Sequence, residues 1–193
     1  MDQKFIKDWM EVFAKKIEKN KEFLSELDNP IGDSDHGGNM NRGMMAIEED
    51  ILPKEYESST ELLKKIAMQF MGKVGGASGA LYGSALLDIS KDENNLSDLE
   101  SFVRAGLEGI KRRGKAEQGD KTMVDLWAGV LSILDSKEEL NSEKIFKVVE
   151  GTKNLQAKKG RASYVGERSI GHIDPGTYSS ALLFESYLEV GGK

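Results

Sequence analysis

The apolar residues of this chain recur every three to four positions almost from end to end, and no run of Val and Ile alternates with polar residues at a period of two. Such spacing predicts helices and argues against a parallel-sheet Rossmann domain. Ile6, Trp9, Val12, Phe13 and Ile17 share one stripe with lysines and acids opposite, so a first helix runs to about Leu27 and stops at Asn29-Pro30. Asn39 or Asn41 caps a second helix to about Asp50, and Ser58 or Ser59 a third to about Lys73. Residues 77–90 form a fourth. Ser97 with Glu100 reads as a capping box for a fifth that reaches about Arg112. A sixth carries Met123, Leu126, Trp127, Val130, Leu131 and Leu134. A seventh carries Ile145, Val148, Val149 and Leu155 behind a Ser142 cap, and the eighth starts after Pro175-Gly176 and includes Leu182, Leu183 and Tyr187. Short connections predict antiparallel neighbours, with no repeat or low-complexity linker to divide the chain. The expectation is an all-α fold, an antiparallel eight-helix up-and-down bundle forming one domain over residues 1–193.

In an up-and-down array, alternate junctions lie at the same end. Four segments rich in glycine occupy residues 28–43, 75–83, 112–125 and 160–177, the junctions after helices one, three, five and seven. The junctions after helices two, four and six are ordinary polar loops. One end of the bundle is therefore expected to collect every unusual segment into a single composite site.

The first segment sets its chemistry. Asp28, Asp33 and Asp35 fall within eight positions and are interleaved with glycines. Two carboxylates about 4 Å apart repel by roughly 4 kcal/mol at an effective dielectric near 20, so three call for a cation. Hard oxygen donors without cysteine favour magnesium or calcium over zinc, and magnesium usually shares its shell with phosphate oxygens. A solvated turn with helix-capping aspartates is the plainer alternative. An EF-hand loop starting at Asp33 fails, because Met44 stands where a bidentate Glu is required. The net charge of −6 disfavours nucleic acid as a partner. The absence of cysteine fits a reducing cytosol, and no segment approaches eighteen apolar residues, so a cytoplasmic protein away from membranes is expected.

The other segments admit two readings each. His36 is a surface histidine, an acid–base group or a donor to phosphate. Gly75–Gly79 opens a helix whose free N–H groups suit phosphate oxygens, or it lets two helices pack closely. Asp120 or Thr122 caps the sixth helix. Arg161 and Arg168 suit phosphate pairing, and Glu167 is an alternative partner for Arg168.

Taken together, Leu27-Asp28, Ile31 through Gly37 with Asn39-Met40, Gly75–Gly83, Gly119–Asp125 and Gly160–Gly176 resemble, in family order, the L subunits of bacterial phosphotransferase-dependent dihydroxyacetone kinase. The resemblance implies an eight-helix barrel holding ADP/ATP and two Mg2+ ions at one end. It implies that Asp28, Asp33 and Asp35 ligate metal, and that His36, Gly37, Gly38, Asn39, Ala77, Ser78, Gly114, Met123, Arg161, Asp174, Pro175 and Gly176 contact the nucleotide. No catalytic nucleophile on this chain is implied. The family's M subunit rephosphorylates bound ADP from a phosphohistidine, and the ATP formed phosphorylates dihydroxyacetone held on the K subunit. A chain of this length has no room for a substrate-binding domain, so both partners are expected as separate proteins. Departures from the family pattern are Ser34, Ala80 and Thr177. Fatty-acid kinases carry a related domain, but their Asp-Gly-Asp-Thr-Gly loop differs from Asp33-Ser34-Asp35-His36-Gly37. A nucleotide-binding regulator of transcription would show the same site residues.

Overall fold

Side chains that take the first free amides fix where the helices begin. The computed structural model describes residues 1–192, with eight α-helices and no strand among them. They are α1 (Gln3–Asp28), α2 (His36–Asp50), α3 (Ser59–Lys73), α4 (Gly76–Ile89), α5 (Leu99–Gly114), α6 (Met123–Asp135), α7 (Ser142–Gly151) and α8 (Pro175–Glu189). Short 3₁₀ segments lie at Glu93–Leu96, Thr152–Asn154 and Arg161–Ser169. Asp2 caps α1, Ser58 caps α3, and Asp174 caps α8 ahead of a proline at its first turn. Thr122 and Asp125 form a reciprocal capping box at α6, leaving Asp120 outside that role.

Three expected starts are corrected. The α2 helix begins at His36, not after Asn39 or Asn41, because Asp28 reaches across from α1 to take the amides of Asp35 and His36. Asp98, not Ser97, caps α5, while the Ser97 hydroxyl donates to the Asn94 carbonyl and the Asp98 carboxylate. Asn141, not Ser142, caps α7, and that helix ends at Gly151, so Leu155 lies beyond it.

Helices adjacent in sequence pack side by side, and α8 returns against α1 to close the ring, with α6 also touching α8. The interior is filled by rings. Trp9 and Phe102 stand 5.1 Å apart, Phe70 stacks on Tyr82 at 5.2 Å, and Trp127 meets Phe184 edge-on at 5.0 Å. The Trp9 indole N–H donates to the Leu183 carbonyl at 2.8 Å, tying α1 to α8. Truncating any one of these rings to alanine costs about 3–5 kcal/mol. Between Met10, Phe70, Tyr82, Phe102, Trp127 and Leu183 a void of about 10 Å³ remains, enough for one water and far too small for a lipid chain. The expected end-collection holds: one cavity draws on the junctions after α1, α3, α5 and α7.

Candidate functional site

The acidic loop is built around Asp28, the last residue of α1. Its Oδ2 accepts the Asp35 N–H at 3.0 Å and the His36 N–H at 3.3 Å, so one side chain ends the loop and starts α2. The loop hugs this carboxylate so closely that a Cβ at Gly32 would stand 1.9 Å from Asp28 Oδ1. Ser34 turns the chain at φ +64°, a left-handed conformation that disfavours a side chain. These constraints bring carboxylate oxygens of Asp28, Asp33 and Asp35 within 4.8 Å of one another, Asp28 buried and the other two exposed. Desolvation and the charge of Asp35 hold the Asp33 carboxyl above the usual carboxylate range, although Arg161 Nη1 lies 2.5 Å from Asp33 Oδ2. Three clustered hard-oxygen donors with two exposed members fit a magnesium site that leaves room for phosphate oxygens and water.

Opposite this loop, α4 starts at Gly76 with no side chain taking its first amides. Gly76 adopts φ +68°, and a Cβ at Gly75 would stand 2.6 Å from Asn39 Oδ1, so the backbone passes directly over α2. Ala77 and Ser78 follow on the exposed first turn, which carries the positive end of the helix dipole. His36 lies between this turn and α8. Its Nδ1 is 3.1 Å from Ser78 Oγ and its Nε2 is 3.0 Å from Ser179 Oγ. Burial pushes the ring down to about 4, so it is neutral at physiological pH, and a surface position is excluded.

The remaining wall comes from the ends of α5, α6 and α8 and from residues 159–162. The Asp174 carboxylate accepts the Thr177 N–H at 2.6 Å and the Thr177 hydroxyl at 3.0 Å, and burial pushes its pKa up to about 6. Lys121 pins this wall from beneath. Its ammonium is fully buried and donates to the carbonyls of Thr152 (3.0 Å), Leu155 (3.0 Å) and Ser169 (2.6 Å), and burial lowers its pKa.

The cavity so enclosed measures about 500 Å³, a size suited to a nucleotide-class ligand. Asp28, Asp33, Asp35, His36, Asn39, Ala77, Ser78, Gly114, Met123, Arg161, Asp174, Pro175 and Gly176 all line it. Gly37 and Gly38 do not. Gly37 packs where a Cβ would stand 1.8 Å from the Lys21 carbonyl, and Gly38 faces outward. Sequence reasoning missed Lys121, Arg113 and Lys159 in the lining. Lys121 sits inside a glycine-rich segment whose pattern assigns it no role, and only three-dimensional packing distinguishes it.

A helical ring with a carboxylate triad facing an open helix N-terminus fits the class of proteins that handle phosphate through divalent cations. The family model described as the DAK2 domain matches residues 30–189, and the chain belongs to that family. It is 52% identical over 183 residues to the Lactococcus lactis PTS-dependent dihydroxyacetone kinase, ADP-binding subunit DhaL, with 95% of each chain covered. Identity to the Escherichia coli PEP-dependent dihydroxyacetone kinase, ADP-binding subunit DhaL, is 36%, covering 93% of each. These relatives are subunits of a phosphotransferase. The human triokinase/FMN cyclase is 34% identical over 188 residues, but this chain spans only 32% of it. The solved dihydroxyacetone kinase of C. freundii in complex with AMP-PNP and Mg2+ has the same fold, at a TM-score of 0.73 and 20% identity. It covers 95% of this chain and 33% of that one.

Proposed function

We propose that this chain is the ADP-binding phosphoryl-transfer subunit of a phosphoenolpyruvate-dependent dihydroxyacetone kinase, acting in the cytoplasm as one nucleotide-binding unit over its whole length. The observation that carries the reading is the carboxylate triad of Asp28, Asp33 and Asp35 across one cavity from the uncapped first turn of α4. ADP with two Mg2+ ions, held by these residues, would supply a rechargeable phosphoryl carrier between the phosphohistidine of an M subunit and dihydroxyacetone held on a K subunit.

The chain's own residues position and neutralise. Asp28, Asp33 and Asp35 hold the cations. The amides of the α4 first turn with Ala77 and Ser78, and the guanidinium of Arg161, meet phosphate charge. Asn39, Gly114, Met123 and the Asp174-Pro175-Gly176 turn shape the rest of the nucleotide pocket. The neutral ring of His36 orients Ser78. Gly37 and Gly38 serve helix packing and the α2 surface instead. Phosphoryl transfer asks for positioning and charge stabilisation more than for a protein nucleophile, and this cavity offers no side chain set up as one.

The test is reconstitution. With K and M subunits of a related enzyme and phosphoenolpyruvate, dihydroxyacetone phosphate should form, and omission of any one protein should stop it. Turnover without the K subunit, or none with all partners present, overturns the proposal.

A further inference from the structure

A buried chain of hydrogen bonds runs from the bundle core to the cavity. Trp127 Nε1 is 3.2 Å from Ser180 Oγ, and Tyr82 Oη is 3.0 Å from Ser180 Oγ and 2.9 Å from Ser179 Oγ. Ser179 Oγ is 3.0 Å from His36 Nε2, and His36 Nδ1 is 3.1 Å from Ser78 Oγ, which lines the cavity. Tyr82, Trp127, Ser179 and Ser180 are all at most 2% exposed, so water does not compete with these bonds.

One direction is fixed, that of the bond at the inner end of the chain. An indole nitrogen only donates, so Trp127 gives its proton to Ser180. Ser180 can then give its own proton to Tyr82, and Tyr82 its own to Ser179, the order in which every hydroxyl of the run both accepts and donates. The Ser179 proton has two acceptors in reach, His36 Nε2 at 3.0 Å and the Gly176 carbonyl at 3.2 Å. If it goes to Gly176, the ring carries its proton on Nε2, and Ser78 spends its hydroxyl proton on Nδ1, showing the cavity only lone pairs. If it goes to Nε2, the ring carries its proton on Nδ1 and donates to Ser78, whose hydroxyl proton is free.

We propose that Trp127, Ser180, Tyr82 and Ser179 are positioning residues that fix His36 as the Nδ1–H tautomer, so that Ser78 offers a hydroxyl donor to an anionic oxygen at the head of α4. This rests on the phosphate-binding reading above, since an anion site at an uncapped helix start gains from a donor and loses from exposed lone pairs. None of the four positioning residues touches the ligand cavity; their effect passes through the imidazole.

Two measurements test it. With only two histidines in the chain, ¹⁵N–¹H correlation spectra of the imidazoles assign the His36 tautomer directly. The wild-type protein should show a proton on Nδ1 and a bare Nε2. A proton on Nε2, or on both nitrogens, overturns the proposal whatever the protein binds. In Tyr82→Phe, which deletes only the hydroxyl, Ser179 is released toward Gly176. The tautomer should become mixed, and ADP retention should weaken about tenfold, the loss of one donor to a charged oxygen. An unchanged tautomer or unchanged affinity in folded Tyr82→Phe sinks it, and Tyr82→Trp is no substitute because it changes volume. If the Nδ1 tautomer is found but the wild-type protein binds no ADP, the relay stands and the nucleotide reading falls.

Discussion

Arg161 and Asp33 are joined across the cavity mouth, with Nη1 2.5 Å from Oδ2, so a guanidinium sits on one of the two exposed carboxylates of the acidic loop. The pair links residues far apart in sequence, and it shares out charge that would otherwise be crowded on Asp28, Asp33 and Asp35. It also places Arg161 where a phosphate oxygen would compete for it. Both side chains are solvated, so the ion pair itself contributes little to stability. Arg161→Ala should therefore leave the unfolding midpoint of the metal-free protein within about 2 °C of wild type. ADP retention should fall about tenfold or more. Calorimetry and nucleotide titration on the same sample check both, and a large loss of stability with intact binding contradicts the assignment.

The three aspartates should separate by role. Asp33→Ala and Asp35→Ala should abolish magnesium-dependent nucleotide retention while helical circular dichroism stays at the wild-type level. Asp28→Ala removes the group that accepts the amides of Asp35 and His36, so it should lose nucleotide and also about 1 kcal/mol or more of folding stability. Retained nucleotide in both exposed-site variants refutes the metal assignment.

Stability should respond to pH through two groups of opposite sign. In metal-free protein, burial holds His36 at about 4. Between that value and the unfolded value of about 6.5 the unfolded chain binds a proton that the folded chain refuses. This contribution is full above about 6.5 and falls by roughly 3 kcal/mol as pH drops to 4. Asp174, pushed up to about 6, acts the other way: the folded chain keeps its proton, so that contribution is present at low pH and is lost as pH rises through 6. Unfolding free energies of wild type and His36→Gln from urea titrations should converge by about 3 kcal/mol from pH 6.5 to 4, since only the wild type carries the histidine penalty. A constant gap across that range rules out the buried neutral ring.

Adjacent glycines should behave oppositely. A Cβ at Gly37 would meet the Lys21 carbonyl at 1.8 Å, whereas one at Gly38 meets nothing within 4 Å. Gly37→Ala should cost about 2–3 kcal/mol by forcing α1 from α2. Gly38→Ala should keep ADP and gain up to about 1 kcal/mol from helix propensity. Thermal unfolding of the pair decides, and lost nucleotide in Gly38→Ala would return that residue to the binding site.

Much of this was legible because the signals were local or periodic. The stripe of Ile6, Trp9, Phe13 and Ile17 gave α1, the proline at 175 gave the start of α8, and the parity of the glycine-rich junctions gave the shared cavity. The errors arose where a distant or competing side chain decided. Asp28 caps α2 from another helix, so no spacing within α2 could locate its start. Asp98 outcompeted its neighbour Ser97 for the α5 amides, and Asn141 did so for α7. The strap formed by Lys121 and the hydrogen-bonded run behind His36 join residues far apart in the chain, which no one-dimensional pattern reveals. Thr177, a departure from the family pattern, finds its own explanation in a hydroxyl bonded to the Asp174 carboxylate and the Thr122 carbonyl.

The measurement that bears most directly on the central claim is the nucleotide content of the purified protein, released by acid and quantified by chromatography after exhaustive dialysis against magnesium buffer. A carrier recharged in place should retain close to one ADP per chain and lose it when the magnesium is chelated. A protein that emerges empty, and binds ATP only weakly when it is supplied, contradicts the resident-carrier account.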